Sequence, residues 1–118
     1  MDTQAVAARL IELCSRNLFL QAQEELYHDN IISIDPDGSR TEGRVQMHAK
    51  ERRFLGQLAA IHSTRFSPPR FAGTYFSTVL AMEIEFKAAG RFALEEICVY
   101  QVAGGKIVFE QFFRDGNQ

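Results

Sequence analysis

The chain has 118 residues with a formal net charge of −2, and hydrophobic and charged residues make up 46% and 24% of it. That length and balance fit one folded domain spanning 1–118 and exclude a disordered chain. The thirteen Lys and Arg are scattered, and the nearest cluster, Lys50 to Arg53, is interrupted by Glu51, so the concentrated basic face that nucleic-acid binding requires is missing.

The first element is a helix over about residues 3–16, with Val6, Leu10, Leu13 and Cys14 at helical spacing and Asp2 or Thr3 as its cap. A shorter helix follows from about Phe19 to Tyr27. Ile31, Ile32 and Ile34 then mark a short strand, and Asp35-Pro36-Asp37-Gly38-Ser39 reads as a turn. Thr41 and Gly43 open a third helix, expected to run to about Ala60, with Met47, Phe54, Leu55, Leu58 and Ile61 along its apolar stripe.

Ser63 to Phe66 reads as a strand that Pro68-Pro69 must interrupt, because two prolines remove two ladder donors. Three long strands close the chain. Thr74 to Lys87 carries Leu80, Met82, Ile84 and Phe86 on one face and Glu83 and Glu85 on the other. Arg91 to Val102 follows a turn at Ala89-Gly90, and Lys106 to Arg114 follows Ala103-Gly104-Gly105. Helices segregated from a mainly antiparallel meander make an α+β fold, in which the helices cover one face of the sheet.

No stretch of eighteen apolar residues is present, so no membrane span is expected. Met-Asp-Thr-Gln lacks the features of a signal peptide, and Cys14 and Cys98 read as two buried free thiols. Both fit a cytoplasmic location. No two histidines stand at metal-ligand spacing on one element, and GxSxG, P-loop and GxGxxG motifs are absent, so neither a metal nor a cofactor is expected.

Four carboxylates stand out. Glu51 falls between Met47 and Leu55 on the helical stripe. Either it faces inward, where burial makes it the mark of a polar pocket, or it reaches outward to Arg44, His48 or Arg52. Asp35 ends the short strand, a suitable place for a general base, and a carboxylate before Pro36 also suits capping the backbone of Asp37 or Gly38 in the turn. Glu95 and Glu96 point to opposite faces, and Glu96 shares the more apolar one with Phe92, Leu94, Cys98, Tyr100 and Val102. For the last strand, a two-residue turn puts Ile107, Phe109, Gln111 and Phe113 on the face of Val102. A three-residue turn puts Val108, Glu110, Phe112 and Arg114 there. His48 is expected in solvent, and His62 at the end of the third helix.

The order of elements, with Thr41-Glu42-Gly43, Ile61-His62-Ser63, the strand ending Ile34-Asp35-Pro36 and the closing run from Gly105 through Phe109-Glu110-Gln111-Phe112 to Asp115, resembles SnoaL-like proteins of the nuclear transport factor two-like superfamily. That group includes ketosteroid isomerases, polyketide cyclases, scytalone dehydratase and limonene epoxide hydrolase. The resemblance covers nearly the whole chain. It implies a cone-shaped roll, a strongly curved, mainly antiparallel sheet wrapped around three N-terminal helices, with an interior pocket and a homodimer formed through the outer face.

The resemblance also carries over particular residues. Asp35 before Pro36 matches the isomerases' general base. Leu10 stands where their oxyanion tyrosine lies, and Cys98 or Ile97 where their oxyanion carboxylic acid lies. None of these three offers the strong donor an enolate needs, so steroid isomerisation itself is not implied. Tyr100 and Glu96 flank the vacant position, and scytalone dehydratase's paired histidines have no match.

Two functions are therefore expected. The first is an isomerase- or cyclase-type enzyme acting α to a carbonyl, with Asp35, Glu51 and Glu96 as its acids and bases. Its small hydrophobic substrate would lie among Leu10, Met47, Phe54, Leu80, Met82, Ile84, Phe86, Cys98 and Tyr100. The second is a ligand-binding or dimeric assembly module without chemistry.

Overall fold

The computed structural model describes residues 1–115. Helix α1 (Thr3–Ser15) is capped by Asp2, whose carboxylate accepts a 2.7 Å hydrogen bond from the Ala5 N–H. It buries Val6, Ala7, Leu10, Leu13 and Cys14, the stripe expected from the spacing. The chain leaves it through Asn17 at φ 62°, a left-handed position asparagine tolerates at a helix end. Helix α2 (Phe19–Leu26) buries Ala22, Gln23 and Leu26 and passes directly into β1 (Tyr27–Ile34). That strand therefore begins four residues before the expected Ile31.

Strand β2 (Arg40–Glu42) pairs antiparallel with β1 across the Asp35–Ser39 turn. Helix α3 (Arg44–Gly56) follows. It ends short of the expected Ala60. Leu58 and Ile61, read as part of its stripe, instead lie in β3 (Leu58–Phe66), paired with Phe86 and Ile84. The physical reason is tertiary. The Gln57 N–H caps the helix on Phe54, and its carbonyl accepts from the Lys87 N–H at 2.9 Å, which ties the helix end to a neighbouring strand. Sheet pairing then overrides a helical periodicity that Leu58 and Ile61 satisfy equally well. His62 consequently sits on β3, its Nε2 2.9 Å from Glu85 Oε1, and not at a helix terminus.

Pro68-Pro69 separates β3 from β4 (Arg70–Ala72). Strands β5 (Tyr75–Phe86), β6 (Gly90–Ala103) and β7 (Lys106–Phe113) form the expected meander. The seven strands make one sheet in the order β2-β1-β7-β6-β5-β3, with β4 beside β5. Among the described residues, every pairing is antiparallel except β1 with β7. Helix α1 packs against β3, β5 and β6, while α2 and α3 pack against each other and β1. The sheet is curved and unclosed. Its inner face carries Phe76, Leu80, Met82 and Ile84 of β5 beside Cys98, Tyr100 and Val102 of β6, all buried.

The β6–β7 connection resolves the phase of the last strand. Ala103 pairs with Lys106, so Gly104-Gly105 is a two-residue turn, and both glycines have positive φ, 59° and 76°, as such a turn demands. Ile107 then faces inward opposite Val102. The register shifts at the next step, where Gln101 pairs with Phe109 and Val108 has no partner. This bulge inverts the remainder of the strand, so Glu110 and Phe112 join Ile107 on the inner face. Each expected register holds for part of β7.

Among the described residues, no helix is long and apolar enough to cross a membrane.

Candidate functional site

Between the helices and the inner face of the sheet lies a cavity of about 650 Å³. Helix α1 contributes Leu10 and Cys14 to its wall, and α3 contributes Met47, Lys50, Glu51 and Phe54. The sheet adds Leu80, Met82, Ile84 and Phe86 from β5, Leu94, Glu96 and Tyr100 from β6, and Glu110 and Phe112 from β7. Asp35, Pro36 and Asp37 of the β1–β2 turn, Arg114 and Asp115 after β7, and Phe19, Ala22 and Gln23 of α2 also line it. Of the residues predicted to line a pocket, all do so except Cys98, which is fully buried without reaching the cavity wall. Ile97, the other residue at that position, points away, 49% exposed on the outer face.

Glu110 is the most enclosed carboxyl among the described residues, 1% exposed. The parallel pairing sets it opposite Ser33, and the Ser33 hydroxyl donates to Glu110 Oε2 at 2.7 Å. The Tyr27 hydroxyl donates to the other oxygen, Oε1. Burial pushes the Glu110 carboxyl up to about 7, against the two hydroxyl donors, which favour its charged form. The Glu51 charge raises it further and Lys50 opposes. Tyr27 is pushed well above its ordinary value, first by burial and then by Glu110, so it serves as a neutral donor.

Glu51 faces the cavity from α3, one turn from Met47. Burial is again the main cause of its rise to about 7; Lys50 counters it, and the charges of Glu96 and Asp35 reinforce it. Glu96 is raised by burial, with the Arg114 guanidinium, 3.6 Å away, pulling the other way. Asp35 forms an ion pair with Lys50 and accepts from the Ser39 hydroxyl at 3.3 Å, which fastens the β1–β2 turn to α3. The turn itself is closed by the main chain, the Gly38 N–H donating to the Asp35 backbone carbonyl at 2.8 Å. Asp35, Glu51 and Glu96 thus converge on one cavity, as their mutual electrostatic effects also require.

The sequence reading left Glu110 and Arg114 undecided and missed Lys50, Tyr27, Ser33 and Gln23. Ser33 carried a usable signal, a small polar residue standing inward between Ile32 and Ile34. His48, expected in solvent, is half-buried with its Nδ1 enclosed and unpartnered. Burial, reinforced by Glu51 and Glu110, pushes the Cys14 thiol up to about 12, and burial also raises Cys98, so neither thiol is a nucleophile at neutral pH. Among the described residues, no group of three or more His, Cys, Asp or Glu is arranged to hold a metal.

The site contains two carboxyls poised near neutrality on facing elements, a third raised by burial, and a largely aliphatic and aromatic wall that also carries Gln23, Asp35, Lys50 and Arg114. Such a set can donate a proton to one atom of an apolar ligand and accept one from another. A profile of the SnoaL-like domain matches residues 1–114, and the chain belongs to that family. No functionally curated protein matches the sequence.

Solved structures of the same fold are numerous. A SnoaL-like polyketide cyclase candidate from Mesorhizobium loti is 24% identical, with a TM-score of 0.87 over 97% of this chain and 100% of its own. A hypothetical protein of Catenulispora acidiphila with a ketosteroid isomerase-like fold, solved with trimethylamine, is 14% identical, with a TM-score of 0.74 over 94% of this chain and 85% of its own. TerC, co-crystallised with polyporic acid, is 9% identical, with a TM-score of 0.79 over 96% and 91%. At these identities the likeness establishes the fold alone.

Proposed function

We propose that this protein binds a small hydrophobic carbonyl compound in its cavity and catalyses isomerase- or cyclase-type proton transfer α to the carbonyl. The observation that carries this reading is the pair Glu51 and Glu110, two carboxyls on facing walls of one apolar cavity, each held at about 7. Near pH 7 one can be protonated while the other is ionised, the condition general acid–base catalysis needs. Glu110 is the base, because Tyr27 and Ser33 stabilise and orient its carboxylate. Glu51, kept neutral mainly by burial, gives its proton to the carbonyl oxygen, and Glu96 beside Arg114 assists at the rim. Asp35 is the second candidate base, and its Oδ2 is already engaged by the ion pair with Lys50. Two neighbours of the same fold were solved with small organic molecules, polyporic acid and trimethylamine, which supports the cavity as a ligand site.

Proton exchange tests the reading directly. The α-protons of 2-tetralone, a compact aromatic ketone, should exchange with D2O faster in the presence of the protein, as followed by proton NMR. Glu110→Gln should slow that exchange about 100-fold. Exchange at the buffer rate with wild-type protein would exclude the catalytic reading.

A second observation favours self-assembly. Val79, Ile97 and Phe113 are 36%, 49% and 47% exposed and are paired side by side across β5, β6 and β7 on the outer face. Such a continuous apolar stripe suits a homodimer formed through the sheet, and sedimentation of the protein tests it.

A further inference from the structure

Gln23 is 5% exposed, lines the cavity from α2, and holds its side-chain carbonyl oxygen buried without a hydrogen-bond partner. Its position is fixed: the Tyr27 N–H donates to the Gln23 carbonyl as α2 ends, so the helix's last turn presents this carboxamide to the interior. The polar neighbours on that wall cannot serve it. The Tyr27 hydroxyl is committed to Glu110, and Cys14 offers only a weak thiol donor. The other residues that α1 and α2 give to the lining, Leu10, Phe19 and Ala22, are apolar. A buried amide acceptor without a partner is unfavourable, and native structures rarely leave one unless something else occupies the space beside it.

We propose that Gln23 is a specificity-determining contact of the cavity, and that the ligand presents a hydroxyl group, phenolic or enolic, to this carboxamide. This inference rests on the cavity being the ligand site. A hydroxyl is the chemical match because it both donates and accepts, so it satisfies the amide in either of its two flipped orientations. The aromatic lining, Phe54, Phe86, Tyr100 and Phe112 among it, suits a flat ring carrying that hydroxyl. The contact is remote from the proton-transfer pair in role: it selects and orients the ligand, and Glu51 and Glu110 act on it.

A pair of probes matched in shape tests the assignment: 2-naphthol, and 2-methylnaphthalene with a methyl in place of the hydroxyl. Their dissociation constants are measured with wild-type protein and with Gln23→Leu, and with Gln23→Met as a second variant should the first fold poorly. The preference for 2-naphthol over 2-methylnaphthalene should fall about tenfold on losing the carboxamide, while the affinity for 2-methylnaphthalene holds or rises. An unchanged preference in the variants would overturn the assignment, since the amide would then be satisfied by water and indifferent to the ligand. Failure of both probes to bind wild-type protein would remove the cavity reading itself, and this inference with it.

Discussion

Ser33 and Glu110 face each other across the parallel pairing of β1 with β7, and the serine hydroxyl donates to the glutamate at 2.7 Å. Residues 77 positions apart are thereby joined at the least accessible polar point of the cavity. Tyr27, near the other end of the same strand, takes the second carboxyl oxygen. Strand β1 thus acts as a clamp on a side chain that β7 delivers.

Removing either arm of the clamp should be costly and distinguishable. Tyr27→Phe and Ser33→Ala each delete a hydroxyl donor to a buried carboxyl, and each should destabilise the fold by about 1–3 kcal/mol in urea denaturation. Each should also raise the Glu110 pKa further, because both hydrogen bonds favour the charged form. Carboxyl-carbon NMR titration reads that shift. A downward shift would contradict the donor roles assigned to these two hydroxyls.

Stability should fall as pH rises from about 4.5 through about 7. The ordinary carboxyl value is 4.5, and Glu110 and Glu51 are both raised to about 7 in the fold, so between these values the native state holds more protons than the unfolded one. Stability conferred by the protonated groups is full below about pH 4.5 and lost through about pH 7; for Glu110 alone the loss is on the order of 3 kcal/mol. Glu110→Gln should flatten the profile, with a smaller difference between unfolding free energies at pH 5 and pH 8 than in wild-type protein.

The two candidate bases separate kinetically. Glu110→Gln should abolish most of the exchange of 2-tetralone α-protons, whereas Asp35→Asn, which breaks the ion pair with Lys50, should reduce it less than about tenfold and leave the protein folded. The reverse ranking would move the base to Asp35, the residue matching the isomerases' base. Circular dichroism of both variants guards against loss of fold.

How much of this was legible beforehand depended on range. The α1 stripe, the Asp35–Ser39 turn and the inner faces of β5 and β6 follow from local periodicity, and Glu51 and Glu96 were found because each stands among apolar residues on a regular element. The end of α3 was not legible, because Leu58 and Ile61 fit a helix and a strand alike, and a hydrogen bond from Lys87, thirty residues away from Gln57, decides between them. Glu110 was not legible either. Its orientation depends on an unpaired residue inside β7, and Val108 looks like any strand valine. Lys50 and Tyr27 matter through partners distant in sequence, which no pattern along the chain encodes.

The outer stripe makes a prediction independent of the cavity. Ile97→Glu should convert a dimer to a monomer in sedimentation analysis, because a carboxylate at the centre of the stripe would have to be buried against its own copy. As Ile97 touches neither the cavity nor the core, 2-tetralone exchange per chain should be unchanged. A wild-type protein that sediments as a monomer at micromolar concentration would exclude this interface.

The unpaired Val108 has a wider consequence. With Val108 deleted, Ile107 and Phe109 would follow each other opposite Val102 and Gln101 without a break, so β7 would become regular while Glu110 still faced the cavity opposite Tyr100. Were Val108 instead paired with Gln101, with no residue lost, Phe109, Gln111 and Phe113 would turn toward the cavity and Glu110 toward solvent, converting an acidic chamber into an aromatic one. The chemistry of the chamber is therefore set by where β7 accommodates its extra residue as much as by which residues it carries, and Glu110 reaches the interior only in the register that the bulge sets.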